Sequence, residues 1–77
     1  PEEQLREEIQ GTVLVRFYVD TLGRVCEPEI IRSKHPALDQ EALRVVRLFP
    51  NFTPGMLYGK AVNAYVLVPI RFRLPAD

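Results

Sequence analysis

The residues that most often perform chemistry in proteins are few and scattered in this chain. His35 is the only histidine and Cys26 the only cysteine, so the sequence excludes an internal disulfide and a cysteine-based metal cluster. His35 stands beside Pro36 without a second histidine or a serine motif, and we interpret it as a loop or capping residue rather than a general base or ligand. We interpret Cys26 as a spare, partly buried thiol rather than a redox centre.

Two other groups of side chains could bind a ligand, but simpler explanations are available. The glutamates at positions 2, 3, 7 and 8 could form a metal patch, yet they are typical of a solvated helical face. The aromatic residues Phe49, Phe52, Tyr58 and Tyr65 could stack on bases or sugars, but the apolar periodicity favours packing. No phosphate-binding glycine loop, zinc spacing or nucleophile elbow is present. The sequence therefore predicts neither an enzyme nor a metal site or cofactor.

Length, composition and charge indicate one small domain. The 77 residues are 47% hydrophobic and 26% charged, and ten basic residues balance ten acidic ones. This balance gives no strong field that would recruit nucleic acid or an anionic membrane. No apolar stretch approaches the roughly 20 residues that span a bilayer. We expect residues 1–77 to be a single domain excised from a longer protein.

A hairpin is the clearest local signal. Apolar and polar residues alternate from 12 to 20, which predicts a strand with one buried face. Asp20 and Gly23 bracket a turn, and a second strand is expected over 25–33. Pro28 interrupts this second strand, which we therefore expect to be a sheet edge or to contain a bulge.

Two helices and a final strand complete the predicted elements. Helices are expected over 1–10 and 38–48, the second with Asp39 as a cap and with Arg44 and Arg47 in its last turns. Residues 51–55 and 59–60 are predicted turns. Every even position from Val62 to Phe72 is apolar, which predicts one long strand with its even face in the core. This element order predicts an α+β fold, a two-layer sandwich of a three-stranded antiparallel sheet covered on one face by two helices.

The alternation also predicts which side chains meet on each face of the sheet. The outward faces of the first and last strands carry Leu14, Tyr18, Tyr65 and Leu67, with no predicted helix above them. We expect this surface to be covered by an upstream segment, a second copy of the chain or a partner, or else to be a scatter of tolerated exposed residues. The predicted core consists of Val15, Phe17, Leu38, Ala42, Val46, Val66, Val68 and Ile70.

Pieces spread over nearly the whole chain resemble the C-terminal domain of TonB, the energy transducer of Gram-negative bacteria. Their order and spacing carry the resemblance, and the segment 49–52 resembles Bacteroidetes-type members. The pieces are PEE (1–3), GTVLVRFYVD (11–20) with GRV (23–25), IRS (31–33), HPALD (35–39), EAL (41–43), FTPG (52–55), GKAV (59–62) and VPIRF (68–72). Phe52 replaces a common tryptophan, a change that should keep the packing. The Tyr-Pro entry to the first helix is reduced to Pro1, which is expected to weaken partner binding.

The resemblance implies a mechanical role in the periplasm. A protein of this family is anchored in the inner membrane, couples to a proton-driven motor complex and grips the TonB box peptide of outer-membrane transporters to drive nutrient uptake. An exposed strand edge is suited to such strand addition. The strand geometry predicts that the peptide pairs along Asn63, Tyr65 and Leu67, loses register near Pro69, and finds Arg71 beyond it.

Two alternatives stay open at this point. The domain could be a TonB-like interaction module of a membrane peptidase or sensor, or it could associate with itself as a homodimer by pairing its last strand. The sequence names neither the transporter nor the nutrient.

Overall fold

The computed structural model describes residues 9–74, and these form an α+β domain. The elements in chain order are β1 (Ile9–Val19), β2 (Val25–Arg32), α1 (Pro36–Arg47), β3 (Gly55–Leu57), β4 (Lys60–Val62) and β5 (Ala64–Leu74). Among these residues, no helix is both long and apolar enough to cross a membrane.

The main sheet has three antiparallel strands in the order β2-β1-β5. β1 and β5 pair without interruption over eleven residues, from Ile9 opposite Leu74 to Val19 opposite Ala64. The pairing of β1 with β2 is instead broken by two register shifts, and Glu27 has a positive φ of 50°. β2 is therefore an irregular edge strand, which confirms the expectation drawn from Pro28.

The core lies between the sheet and α1. In the described part of the chain, the fully buried side chains of this core belong to β1 and α1: Val13, Val15, Phe17, Val19, Leu38, Ala42 and Val46. The predicted set missed Val13 and Val19, and it placed Val66, Val68 and Ile70 at the centre although they are only half-buried. The reason is that α1 packs mainly over β1 and β2, so the inner face of β5 lies at the border of the core.

Helix α1 begins earlier than expected because Pro36 occupies its first turn, where a fixed φ and a missing N–H are tolerated. His35 is the N-cap residue, and its carbonyl accepts a hydrogen bond from the Leu38 amide at 2.9 Å. The predicted cap at Asp39 is wrong, because this residue lies within the first turn and makes no capping bond. Arg44 and Arg47 lie in the last turn as predicted.

The predicted first helix falls mostly outside the described residues. Only its last two positions, Ile9 and Gln10, are described, and both belong to β1, so the helix was extended too far. These two residues pair with Leu74 and Arg73 and give β1 the same length as β5. Within residues 9–74, the two-layer arrangement is therefore observed with one helix, α1, over the sheet.

Residues 51–54 form a loop and Gly59 lies in a turn, as predicted, but Gly55 and Lys60 belong to a small hairpin of β3 and β4. Its loop is formed by Tyr58 and Gly59, which have φ values of 50° and 77°. The long final strand expected from Val62 onward is divided, since Val62 belongs to β4 and Asn63 separates it from β5. The apolar alternation continues through both strands, so the pattern contains no sign of this break.

Candidate peptide-binding edge

The outer edge of β5 is the best candidate for a binding site. β5 pairs with β1 on one side, and no strand among residues 9–74 occupies its other side. An open strand edge presents backbone N–H and C=O groups that can pair with another chain. The opposite edge of the sheet, on β2, contains Pro28 and two register shifts and is therefore a poorer template.

Four of the five predicted site residues lie together on β5. Tyr65, Leu67, Pro69 and Arg71 are exposed on the face of the sheet opposite α1, with Tyr65 76% and Leu67 55% exposed. Asn63 is also exposed but lies in the single-residue connection between β4 and β5. The strand thus brings four side chains to one face at alternate positions and leaves Asn63 just before it.

The ring of Tyr65 is held by neighbours on this face. It contacts the Tyr18 ring edge-to-face, with 6.0 Å between centroids, and the Arg16 guanidinium lies 5.5 Å from its centroid. Arg16 also forms an ion pair with Glu29 across the β1–β2 ladder. These contacts give an exposed aromatic ring a defined orientation, as a binding surface requires.

A shallow pocket opens beside this tyrosine pair. It is lined by Arg16, Tyr18, Glu27, Glu29 and Tyr65. A hydrogen bond with Glu27, together with the nearby Cys26 and Glu27 charges, raises the pKa of the Tyr18 phenol. The pocket can accept hydrogen bonds from a polar side chain, and among residues 9–74 no group of His, Cys, Asp and Glu is placed to hold a metal ion.

The sequence interpretation missed both acidic residues of this pocket. The missing information is the register between β1 and β2, which brings Glu29 opposite Arg16. The sequence shows only an Arg in one strand and a Glu in the next, and without the register these residues do not indicate that the two side chains meet.

The turn between β1 and β2 is organised by Asp20. Its carboxylate accepts hydrogen bonds from the backbone amides of Leu22 and Arg24, both at 2.9 Å, and from the Arg24 Nε at 2.7 Å. The backbone hydrogen bond from Arg24 is the main cause that lowers the pKa of Asp20 to about 2. This turn also touches the loop after α1, because the Phe52 amide donates to the Gly23 carbonyl at 2.7 Å.

The other residues considered for chemistry have structural surroundings. His35 is exposed at the helix N-cap, as the capping interpretation predicted, and its side chain makes no capping bond. Cys26 is a half-buried free thiol with its Sγ 3.7 Å from Asp20 Oδ2 and 3.5 Å from the Arg24 carbonyl. Phe52 packs against the rings of Phe17 and Phe49, at 5.7 and 6.1 Å between centroids, and so keeps the packing expected at this position.

The fold is a small α+β domain in which, among residues 9–74, one regular sheet edge is open, and comparison with known proteins identifies its family. Residues 1–74 match the family described as Gram-negative bacterial TonB protein C-terminal. The chain is 34% identical over 67 residues to Protein TonB of Vibrio cholerae, which covers 86% of this chain. It is 36% identical over 75 residues to Protein tonB2 of Pseudomonas aeruginosa, which covers 96% of this chain. The chain belongs to the TonB C-terminal domain family.

The comparisons also define how far this relationship extends. The chain spans 27% of the length of each of these two relatives. No solved structure matches the chain at a significant level. The family is one of energy transducers and interaction proteins rather than of enzymes.

Proposed function

We propose that this chain is the periplasmic domain of a TonB-type energy transducer and that it binds the TonB box peptide of an outer-membrane transporter by strand addition at β5. Family membership supports the role. The open edge of β5, beside an uninterrupted eleven-residue pairing with β1, is the observation that carries the binding mode. Other parts of the transducer anchor it in the inner membrane and couple it to a proton-driven motor. The domain contributes mechanical grip and no bond chemistry.

Pro69 supports a definite direction for the backbone groups at this edge. It lies opposite Leu14 and has no N–H, so this pair suits a position at which the two strands exchange no hydrogen bonds. Bonded and non-bonded pairs alternate along an antiparallel ladder. On this argument Tyr65 and Leu67 direct their N–H and C=O groups away from β1. A peptide then pairs along Asn63, Tyr65 and Leu67 and loses register at Pro69, with Arg71 beyond the break.

The side chains beside the edge favour a peptide with apolar residues on both faces. On the outer face, Tyr65 and Leu67 are more than half exposed. On the inner face, Val66 and Val68 are only half-buried because α1 lies over the other two strands. An added strand would cover apolar surface on both sides, at about 25 cal/mol per Å² of apolar area removed from water.

Calorimetric titration with synthetic TonB box peptides from the transporters of the same bacterium tests the proposal. Leu67→Pro removes one outward N–H and is expected to abolish binding while the circular dichroism spectrum stays folded. Leu67→Ala is the matched control, because it trims the same side chain but keeps the N–H and should retain most of the affinity. Val66→Pro removes an N–H directed at β1 and should unfold the domain.

Two results would contradict this edge-pairing scheme. One is full peptide affinity in a folded Leu67→Pro variant, and the other is equal damage to folding from proline at 66 and at 67. A second copy of the chain competes for the same edge, since two β5 strands can pair with each other. Light scattering over a concentration series measures that dimer, and addition of peptide should dissociate it.

A further inference from the structure

Exposed apolar side chains are concentrated at one end of the molecule, away from the Arg71 end of β5. We call this the apolar end, and it consists of Leu22, Leu48, Phe52, Met56, Leu57 and Tyr58. They come from the β1–β2 turn, the C-cap of α1, the loop that follows it and the β3–β4 hairpin. All but Phe52 are more than half exposed.

Specific contacts bring these segments together. The hydrogen bond from the Phe52 amide to the Gly23 carbonyl joins the loop to the β1–β2 turn. The base of the hairpin meets the start of β5, since a Cβ at Gly55 would lie 3.2 Å from the Ala64 Cβ. Ala64 in turn pairs with Val19, the last residue of β1. The hairpin therefore projects from the end of the sheet where β1 finishes and β5 begins.

The tip of the hairpin has an unusual residue in a demanding conformation. A two-residue loop with both φ values positive favours Asn, Asp or Gly at its first position, but this chain has Tyr58 there, with φ 50°. A bulky residue in the left-handed region is uncommon and is normally supported by its surroundings. Tyr58 is 96% exposed, so nothing in the described part of the chain packs on it. This conformation points to a contact outside the domain.

The shape of the hairpin restricts what that contact can be. Met56 and Leu57 are consecutive residues of β3, so their side chains point to opposite faces, and both are more than half exposed. A rigid protein partner would have to enclose the hairpin from both sides. A fluid lipid interface closes around such a convex tip without a preformed pocket, and tyrosine is enriched at that depth.

The charge of this part of the chain completes the argument. Although the chain has no net charge, the segment 42–60, which builds most of the apolar end, contains three basic residues and no Asp or Glu, and one of the three, Arg44, is paired with Glu41. Two of these basic residues, Arg47 and Lys60, are exposed beside the apolar end. The carboxylate of the adjacent turn, Asp20, is already held by Arg24. Cations around an apolar tip complement anionic lipid headgroups.

We propose that the apolar end inserts into the headgroup region of an anionic phospholipid membrane. Met56, Leu57 and Tyr58 enter the interface, while Lys60 and Arg47 contact lipid phosphates. This contact uses the end of the sheet and leaves the edge of β5 from Tyr65 to Arg71 open. Peptide pairing along Tyr65 and Leu67 therefore stays accessible, whereas Asn63, which directly follows β4, lies beside the inserted hairpin.

Fluorescence gives a direct test because the chain has no tryptophan. Tyr58→Trp introduces a single reporter at the tip, and Ile31→Trp introduces one at an exposed apolar position on β2. With phosphatidylglycerol-containing phosphatidylcholine vesicles, the emission of the first variant should shift to the blue and be quenched by brominated acyl chains. The second should not respond. Absence of any response at position 58 overturns the proposal. That result would instead favour a protein partner for the same tip.

Co-sedimentation with the same vesicles measures the contribution of each group. Tyr58→Asn places a favoured residue in the turn, so the fold is retained or improved while partitioning should fall about tenfold. Lys60→Gln should lower partitioning about fivefold and reduce its salt dependence. Ile31→Asn is the control and should partition like the unchanged protein. Equal partitioning of the Tyr58→Asn variant, or equal binding to vesicles of phosphatidylcholine alone, refutes the proposal. Peptide titration of the Tyr58→Asn variant should be unchanged.

Discussion

Alanine substitutions at two glycines, Gly23 and Gly59, can be compared to measure the close backbone contact between the β1–β2 turn and the loop after α1. Gly23 and Gly59 both adopt left-handed conformations, with φ values of 85° and 77°. A Cβ at Gly59 would meet nothing within 4 Å, whereas a Cβ at Gly23 would lie 2.1 Å from the carbonyl oxygen of Phe52. Substitution by alanine therefore imposes the same conformational cost at both sites and adds a backbone collision only at Gly23.

The expected magnitudes differ clearly. Gly59→Ala should cost about 1 kcal/mol, the penalty for an L-residue in the left-handed region. Gly23→Ala adds the loss of the hydrogen bond from Phe52 to Gly23, about 1 kcal/mol, and the disturbed ring contacts of Phe52, about 1 kcal/mol more. The total is about 3 kcal/mol. This is a large fraction of the stability of so small a domain.

Urea unfolding followed by far-ultraviolet circular dichroism measures both variants. For a domain of this size, about 1 kcal/mol corresponds to a change of about 4–8 °C in Tm, so thermal melts provide a second readout. An unchanged m-value ensures that the change in midpoint reports stability. Equal destabilisation of the two variants would refute the argument that the turn and the loop after α1 are in close backbone contact.

Three further predictions test the core and the Asp20 turn. Phe17→Ala removes a fully buried ring that packs on Phe49 and Phe52, and should cost about 3–5 kcal/mol in urea unfolding; a melt close to that of the unchanged protein would disprove its central place. Ala42→Leu should lower the free energy of unfolding by at least about 1–3 kcal/mol because Ala42 is fully buried, whereas Ala37→Leu, on the exposed side of α1, should be nearly neutral. Similar losses of stability in the two variants would be inconsistent with the observed buried face of the helix. The ionised carboxylate of Asp20 contributes its full stabilisation above its ordinary pKa of 3.8, and this contribution is lost as the pH falls through about 2. Asp20→Asn should therefore lower the free energy of unfolding at neutral pH and flatten its pH dependence in the acidic range. An unaltered pH profile would count against the hydrogen bonds assigned to this turn.

The regular parts of this fold were predictable because periodicity reports burial directly. Alternation identified β1 and the outward direction of Tyr65 and Leu67, and the apolar stripe identified α1. The start of α1 was misjudged because Asp39 was preferred as a cap over the proline at the first helical position. Family resemblance, drawn from short pieces in order, was confirmed over residues 1–74.

Other features depend on tertiary arrangement and left no trace in local patterns. β3 and β4 are only three residues long, too short for a period to be recognised. The half-burial of Val66 and Val68 depends on where α1 rests across the sheet. The pocket at Glu27 and Glu29 depends on a register set by irregularities in β2, which Pro28 indicated but did not locate. Whether β5 is used for binding stays a prediction.

The unequal edges of the sheet limit the size of any assembly built on it. Growth into a fibre by strand addition requires two compatible edges on every subunit. Here β5 pairs regularly with β1 and has no strand on its other side among residues 9–74, whereas β2 is shifted twice and contains Pro28. Two copies that join through β5 form a closed two-fold pair with only irregular edges outside. Addition at this sheet would therefore terminate after one step, and under the proposed binding mode a peptide and a second copy would exclude each other.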